Sequence, residues 1–568
     1  MSVSILNTAL SGLAAFQRSL ETTSNNISNV NTEGYSRQRA EYATRPEQFL
    51  GGNYVGTGVY VNNIARGYDQ FITGQVRSSS SAFGEVDRYH SLSTQIDNLL
   101  AEDGTSIAPA MKSFFNAVHE VADDPSSVPA RQVMLSEAEN MTASFKTMNA
   151  RFVEVRDQVN VDMGNMLEDL NSYAKEIADL NVKIVADIGR ARGEQMPNEL
   201  LDKRDLLLKK VSELVDVSVV DQQNGSASVF IGQGQPLVLA EHAATLELRN
   251  SDFDQTHKEI FMDGQNISNQ LSGGSLYGSL RFRDEVLDPA QQQLGLLAAG
   301  IAVEFNRVHE LGTDGSGAFD LNGKPGLPFF GLSQIPVLAD PNNPSSAPVT
   351  ATYRPNDVAD LSASDYRLEV TAAGYTLTRV SDNKVESGAV GNNQTLTSFG
   401  FELDLSDASL AGLPLSDKLS FLIRPAYLAA ANVGVAITDP KQIAAAQDNV
   451  VNAGPPVVIS GLPGDNRNAL ALAQLETANT MLDGKATFDD TYGQLVSKVG
   501  TQTHSAEVSR SAQDTLLKQA TASWESVSGV NLDEEAANLI KFQQSYQAAA
   551  QAISVTNVLF DSLIGAVR

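Results

Sequence analysis

The residues best suited to acid–base or metal chemistry are the six histidines, and they are scattered: His90, His119, His242, His257, His309 and His504. No two lie four apart, so no helix presents the paired imidazoles of a His-Glu-x-x-His zinc site. The chain has no cysteine, which removes disulfides, thiolate metal centres and cysteine nucleophiles. No Gly-x-Ser-x-Gly elbow lifts a serine onto a strained turn. Gly51-Gly52-Asn53 and Gly56-Thr57-Gly58 are not followed by the Gly-Lys-Ser/Thr of a phosphate loop. The tightest oxygen-rich loop, Asp314 to Asn322, offers carboxylates and carbonyls of the kind calcium takes. It lacks the spacing and closing glutamate of an EF-hand and follows a helix end, so a turn is expected. The sequence points to no catalytic, cofactor-binding or metal residues. What remains to explain is packing.

The ends of the chain carry the strongest packing signal. In the last segment, Leu539, Tyr546, Ile553, Phe560 and Val567 are seven apart, and Phe542, Ala549, Thr556 and Leu563 fall three residues later. That is an a/d seam held for four heptads. Asn531 is placed to cap this helix, and Glu534, three residues on, to complete a capping box. No charge occurs from Phe542 to Asn557, so the helix is expected to be contacted on more than one side. The first segment answers it. Leu6, Leu13, Leu20 and Ile27 are again seven apart, with Ala9, Phe16, Thr23 and Val30 three later. The simplest partner for each seam is the other, as a coiled coil of the two chain ends that also meets neighbouring molecules.

Between the ends the chain is long enough, at 568 residues, for three or four domains. Arg37 to Ala65 reads as an extended linker with short strands. Helical periodicity follows from Tyr68 to Leu99, from Pro109 to Val121, and from about Ala130 through a very long helix. Its seam is Phe145, Phe152, Val159, Met166, Tyr173 and Leu180, with a second register that shifts to Met163, Leu170, Ile177 and Ile184, as expected of a long straight helix whose packing face rotates. A further helix spans Asn198 to Leu214. Val215 to Leu248 changes to strand period with Asn224-Gly225 as a hairpin turn. A helix from about Arg281 to Leu311 follows. Residues 335–435 read as an inserted β-rich domain, marked by Pro341, Pro344 and Pro348 at its start. Helix returns near Arg467 and from Phe488 to Val527, with Phe488, Leu495 and Leu516 on one register.

The expected architecture is multidomain and mainly α with a β insertion. A terminal α-helical coiled coil is formed by 1–36 plus 531–568. A long-helix bundle body with β-hairpins takes 37–334 plus 436–530, and an outer β-rich domain takes 335–435. The nesting brings the two termini together.

The net charge of −28, from 68 acidic against 40 basic residues, argues against nucleic acid, whose phosphates need clustered Lys and Arg. No run of ~18 apolar residues predicts a membrane span. The first residues lack the basic and apolar regions of a cleavable signal peptide. Either cytoplasm or a signal-independent export route is expected.

The run Ser24-Asn25-Asn26-Ile27-Ser28-Asn29-Val30-Asn31-Thr32-Glu33-Gly34-Tyr35-Ser36-Arg37 resembles the N-terminal signature of the bacterial flagellar rod, hook and hook-associated axial protein family. That signature is an Asn-rich helix end running into Asn-Thr-x-Gly-Tyr. Gly34 suits a left-handed position at the helix exit. With Asn531 to Arg568 and this length, the match lies nearest the hook-associated branch. Hook protein has a strand-rich middle, and flagellin lacks the Asn-Thr-x-Gly-Tyr element. The resemblance implies a structural protein, not an enzyme, that self-assembles in the axial tube where hook joins filament. It implies contacts with hook protein and other hook-associated proteins. It implies extracellular localisation through type III export, with a cytoplasmic export chaperone on the C-terminal helix beforehand and no cofactor, nucleic acid or membrane partner. The subunit-packing residues expected are Leu6, Ala9, Leu13, Phe16, Leu20, Ile27, Val30 and Gly34, with Leu539, Phe542, Tyr546, Ala549, Ile553, Phe560, Leu563 and Val567. Two alternatives stay open: an adhesin or enzyme domain displayed on a flagellar scaffold, and a cytoplasmic coiled-coil adaptor.

Overall fold

The computed structural model describes residues 2–50, 52–102, 104, 106–192, 195–312, 317–343, 348–389, 395–406, 417–447, 449–451, 457–459 and 462–567. Long helices dominate, with several small antiparallel sheets.

The C-terminal helix spans Leu532–Val567. Asn531 caps it, its Oδ1 accepting from the backbone N–H of Asp533 (2.9 Å) and Glu534 (3.3 Å). The Glu534 carboxylate pairs with Arg37 at 2.7 Å. The N-terminal helix spans Ser2–Ser28 and lies along the C-terminal helix. Residues 37–65, expected as an extended linker, form an ordered ribbon. Gln38–Thr44 pairs antiparallel with Val59–Arg66, bulged at Glu41/Tyr42, and a smaller hairpin, Gln48–Leu50 with Asn53–Val55, extends it. The ribbon packs along the N-terminal helix, because small hydroxyl and amide side chains there meet its backbone.

The body is built around the 63-residue helix Val128–Arg190, about 95 Å long. Ser127 caps it, and Pro129 occupies its first turn, where a missing N–H costs nothing. Phe145, Phe152 and Val159 are fully buried. Further along, Met166 and Tyr173 are half-buried and Met163, Leu170, Ile177 and Ile184 are buried, so the packed face does rotate. Ala108–Asp123 and Asn198–Leu214 pack against it, and Gln70–Ala101 packs in turn on Asn198–Leu214.

Two body helices differ from their expected form. The one predicted from Arg281 starts at Gly274, passes through one π turn over Arg283–Leu287 and resumes as Asp288–Leu311. The π turn buries Arg283, whose Nη1 donates to the Lys258 carbonyl at 2.5 Å. In Phe488–Ser528, Tyr492, Leu495, Val499, Ala506 and Ala520 are buried but Leu516 is exposed. Over that stretch the helix is covered chiefly by Gln70–Ala101, and Leu516 faces away.

The β-rich segment holds a five-stranded antiparallel sheet in the order Val337–Ala339, Lys418–Ile423, Tyr366–Thr371, Gly374–Arg379, Val385–Gly388. Tyr366, Leu368, Val370, Leu377, Phe421 and Ile423 form its buried face. Arg424, at the end of the second of these strands, fastens it to the body. It donates to Asp365 (3.0 Å) and to Asp254 (2.5 Å) and stacks on the Tyr427 ring, 3.4 Å from its centroid. Tyr427 accepts in turn from Arg156 of the long helix at 2.8 Å.

Candidate functional site: the paired chain ends

The two terminal helices run antiparallel. Asn26 meets Glu535, and Ala9 and Gly12 share a groove with Ala548, Ala549 and Ala552. The N-terminal helix therefore has two working faces. One is the apolar seam. Leu6, Ala9, Leu13, Phe16, Leu20, Ile27 and Val30 on it are half-buried, as are Leu539, Phe542, Tyr546, Ala549 and Ile553 opposite, while Thr23 and Thr556 are buried. Phe560 is 47% exposed. The side chains of Leu563 and Val567 lie outside the described residues.

The other face is more deeply buried and is polar. Ser11, Ala15, Ser19, Thr22 and Asn26 recur at helical spacing beneath the ribbon. Ser11 Oγ accepts from the Val59 N–H (3.1 Å), Ser19 bonds the Tyr42 hydroxyl, and a Cβ on Gly58 would lie 2.0 Å from Ser11 Oγ. Only glycine lets the ribbon come this close.

At the base of the pair these contacts converge on one node. Asn26 Nδ2 donates to the Gln38 carbonyl (2.9 Å) and to Glu535 (3.0 Å); its Oδ1 accepts from the Gln38 N–H (2.9 Å) and the Tyr35 hydroxyl (2.8 Å). All four of its hydrogen-bonding positions are used. Arg37 donates to Glu535 through Nε (2.8 Å) and pairs with it through Nη2 (2.7 Å). Glu535 is 2% exposed, so the pair is a buried one, in which loss of Arg37 would strand the Glu535 charge. The Arg37 backbone N–H donates to the Ser528 carbonyl at 2.8 Å, joining the N-terminal signature to the end of the helix Phe488–Ser528.

The same segment is tied to the body. Gly34 has φ +78°, and a Cβ there would sit 2.9 Å from Leu206 Cβ, so both backbone geometry and space select glycine. The Ser36 N–H donates to Asp202 (3.1 Å), and Arg66 reaches Asp202 (3.0 Å) and Asp205 (2.6 Å). Burial, reinforced by Asp202 and Glu535, pushes the Tyr35 phenol up to about 12. It stays a neutral hydroxyl that donates to Asn26.

Sequence reasoning found the seams and missed this node. Glu535 reads locally as a first-turn acid favoured by the helix dipole, and Asn26 as one of several asparagines. Nothing local separates Glu535 from its neighbours Asp533 and Glu534, or Arg37 from Arg39.

His309 fills a structural position, whereas His119, His242 and His504 lie at the surface. The buried His309 ring is fixed by the Leu327 carbonyl on Nδ1 (2.6 Å) and the Ala444 N–H on Nε2 (2.9 Å), and burial holds it down at about 4. Asp320 Oδ1 accepts from the N–H of Asn322 and of Lys324, both at 2.8 Å, which makes that part of the oxygen-rich loop a turn. Residues 313–316 of the loop lie outside the described residues. Among the described residues no group of three or more His, Cys, Asp or Glu is placed to hold a metal, and no helix is long and apolar enough to cross a membrane.

Comparison with known proteins agrees along the whole length. Family models match as follows: flagella basal body rod protein at 6–35, flagellar hook-associated protein FlgK helical domain at 93–330, flagellar hook-associated protein 1 D2-like domain at 338–425, and flagellar basal body rod FlgEFG protein C-terminal at 524–566. The chain is 34% identical to flagellar hook-associated protein 1 of Salmonella typhimurium over 99% of both chains. It is 26% identical to that of Bacillus subtilis over 98% of this chain and 97% of the relative. The solved flagellar hook junction protein FlgK from Burkholderia pseudomallei superposes with a TM-score of 0.69 at 25% identity, covering 80% of this chain and all of that one. Full-length similarity of this kind, carried by both end segments, the helical body and the β-rich insert, shows that the chain belongs to the flagellar hook-associated protein 1 family.

Proposed function

We infer that this chain is a structural subunit of the bacterial flagellum that forms the junction between hook and filament and is required for the filament to assemble. The observation that carries the reading is the incomplete burial of the chain ends. Their seams pair within the chain, yet seam residues stay half-exposed and Val555, Val558, Leu559, Phe560 and Ile564 stand in solvent. A contiguous apolar surface of this kind marks a protein–protein contact. Packing beside the same helices of neighbouring copies completes the burial at about 25 cal/mol per Å² of apolar surface.

In this reading the terminal unit, 1–36 plus 531–568, lines the axial tube with the seam residues as its packing positions. The body, 37–334 plus 436–530, forms the wall, and 335–435 faces outward. Hook protein and the other hook-associated proteins are the axial neighbours. Before assembly a cytoplasmic export chaperone covers the C-terminal helix, and the chain leaves by type III export to an extracellular position. The protein works by packing and not by catalysis. The β-rich segment matches the family's own D2-like domain at 338–425, which favours this reading over a foreign adhesin or enzyme insert.

Deletion of 531–568 tests it. Cells carrying the truncated chain should build hooks without filaments, while the purified truncation keeps the far-ultraviolet dichroism and cooperative unfolding of the body. Filaments that form normally on the truncated chain would overturn the reading. Recovery of the full chain only from lysate, never from sheared flagella, would support a cytoplasmic adaptor instead.

A further inference from the structure

The buried apolar core runs without a break from the helical body into the β-rich segment: Phe114 of the one and Phe401 of the other belong to the same cluster. That core holds no described residue of 2–66 or 529–567. The end helices and the ribbon therefore make a separate piece. The hydrogen bonds and ion pairs that tie it to the body cluster at its base. Ser36 and Arg66 hold Asp202, Arg66 holds Asp205, and Asn198 Nδ2 donates to the Ile64 carbonyl at 2.6 Å. A small polar interface of this kind leaves relative motion of the two sides as the default.

Three segments cross at that base. The Gly67 N–H donates to the Arg37 carbonyl (2.6 Å), and the Arg37 N–H to the Ser528 carbonyl (2.8 Å). A Cβ on Gly67 would lie 2.6 Å from the Val527 carbonyl oxygen, so glycine is what permits the crossing. Both chain connections between the two pieces pass through it. Beside it lies a cavity of about 980 Å³, walled by Val76, Arg77, Leu206 and Trp524 of the body and by Asn31 and Leu532 of the ends. Thr73 Oγ1 on its lining and Ser528 Oγ at the crossing are buried with no hydrogen-bond partner among the described residues. This one arrangement thus leaves polar groups of the joint unsatisfied.

We propose that the crossing is a pivot and the cavity its clearance. The end helices and ribbon tilt as one rigid piece, and the body with the β-rich segment is the other. Gly67 and Gly529 to Asn531, which lie outside regular elements, absorb the change, as a few loop residues do in a hinge. The ends then take the tilt that their packing imposes while the core stays intact. The joint is a property of the single chain and goes beyond the assembly reading.

The absence of cysteine lets spin labels be placed in pairs on the full chain. Ala14→Cys with Ala536→Cys reports on the end piece. Ala143→Cys with Thr352→Cys reports on the body and β-rich segment, and Ala14→Cys with Ala143→Cys on the joint; all four positions are exposed. Double electron–electron resonance should give narrow distances for the first two pairs and a distribution about twice as wide or more for the third. Val76→Phe fills the cavity from the body side. It should narrow the third distribution and lower acrylamide quenching of Trp524, the one tryptophan of the chain. Thr521→Phe, from another helix of the lining, serves if Val76→Phe does not fold. A joint pair as narrow as the other two would overturn the proposal, and so would an end pair as broad as the joint pair. A width untouched by the filled cavity would overturn the role of the clearance. None of these outcomes depends on assembly, so failure here leaves the assembly reading standing.

Discussion

The long body helix and the two terminal helices carry the same spacing of apolar residues and reach different states. Phe145, Phe152 and Val159, seven apart, are fully buried between neighbouring helices. Leu539, Tyr546 and Ile553, also seven apart, are half-buried, and Phe560 is exposed. A heptad repeat specifies that a helix has an apolar face; it does not specify how many partners the chain supplies for that face. The body finds all its partners within the chain. The ends find one helix and a ribbon, and the remainder stays exposed. Loss of a body seam residue should therefore unfold the protein, whereas loss of an end seam residue should spare the fold and stop assembly.

The largest effect that would sharpen this contrast is at the body seam. Phe152→Ala removes a fully buried ring and should cost about 3–5 kcal/mol, read as a lowered denaturant midpoint. A loss under about 1 kcal/mol would break the comparison.

Acid should act on the body next. His309 and His257 are both held at about 4, chiefly by burial, against an unfolded value of 6.5. Above pH 6.5 both states are neutral and the stability is fully present. As pH falls from 6.5 towards 4, only the unfolded chain gains the protons, and each histidine removes up to roughly 3 kcal/mol. Burial also raises the carboxyls of Asp202 and Asp365; these act in the opposite sense. Thermal midpoints measured across this window should fall, and His257→Asn should flatten the decline.

Glu535→Ala comes third. It leaves Arg37 paired with Glu534 alone and unmakes one Asn26 bond, at about 1–3 kcal/mol, confined to the terminal unit. Amide exchange should accelerate in 2–44 and 532–556 while the long body helix stays protected. Equal acceleration in both regions would show that the ends and body unfold as one. Gly34→Ala, which meets both a positive φ and Leu206, should cost about 1–2 kcal/mol, with exchange rising first around Tyr35 and Asp202. The smallest effect on stability belongs to Phe560→Asp. It should change the unfolding midpoint by less than about 0.5 kcal/mol and still abolish incorporation into flagella. A variant that assembles normally would remove the special status of the exposed seam.

Much of this was legible beforehand, for reasons that can be named. The seams, the cap at Asn531, the turn at Gly34 and the rotating face of the long helix follow from local geometry, since side-chain direction repeats with the helix and glycine alone tolerates φ +78° without strain. The ribbon at 38–66 was less legible, because its inward contacts are made by Ser11, Ser19 and Asn26, which carry no hydrophobic period. The node was not legible at all. Asn26 and Glu535 are 509 residues apart, and no local pattern in either segment encodes the other.

The amino-acid order alone thus determined where helices start and stop, which stripe of each is apolar, that cysteine chemistry is absent and that the two ends are a matched pair. Tertiary structure decided how far each stripe is covered. It put a polar stripe of the first helix under the ribbon, fastened the β-rich segment to the body through Arg424, and left Leu559, Phe560 and Ile564 of the C-terminal helix exposed. The division has a physical origin. Backbone geometry fixes the direction of a side chain from its immediate neighbours, whereas burial depends on what distant segments bring to the same place.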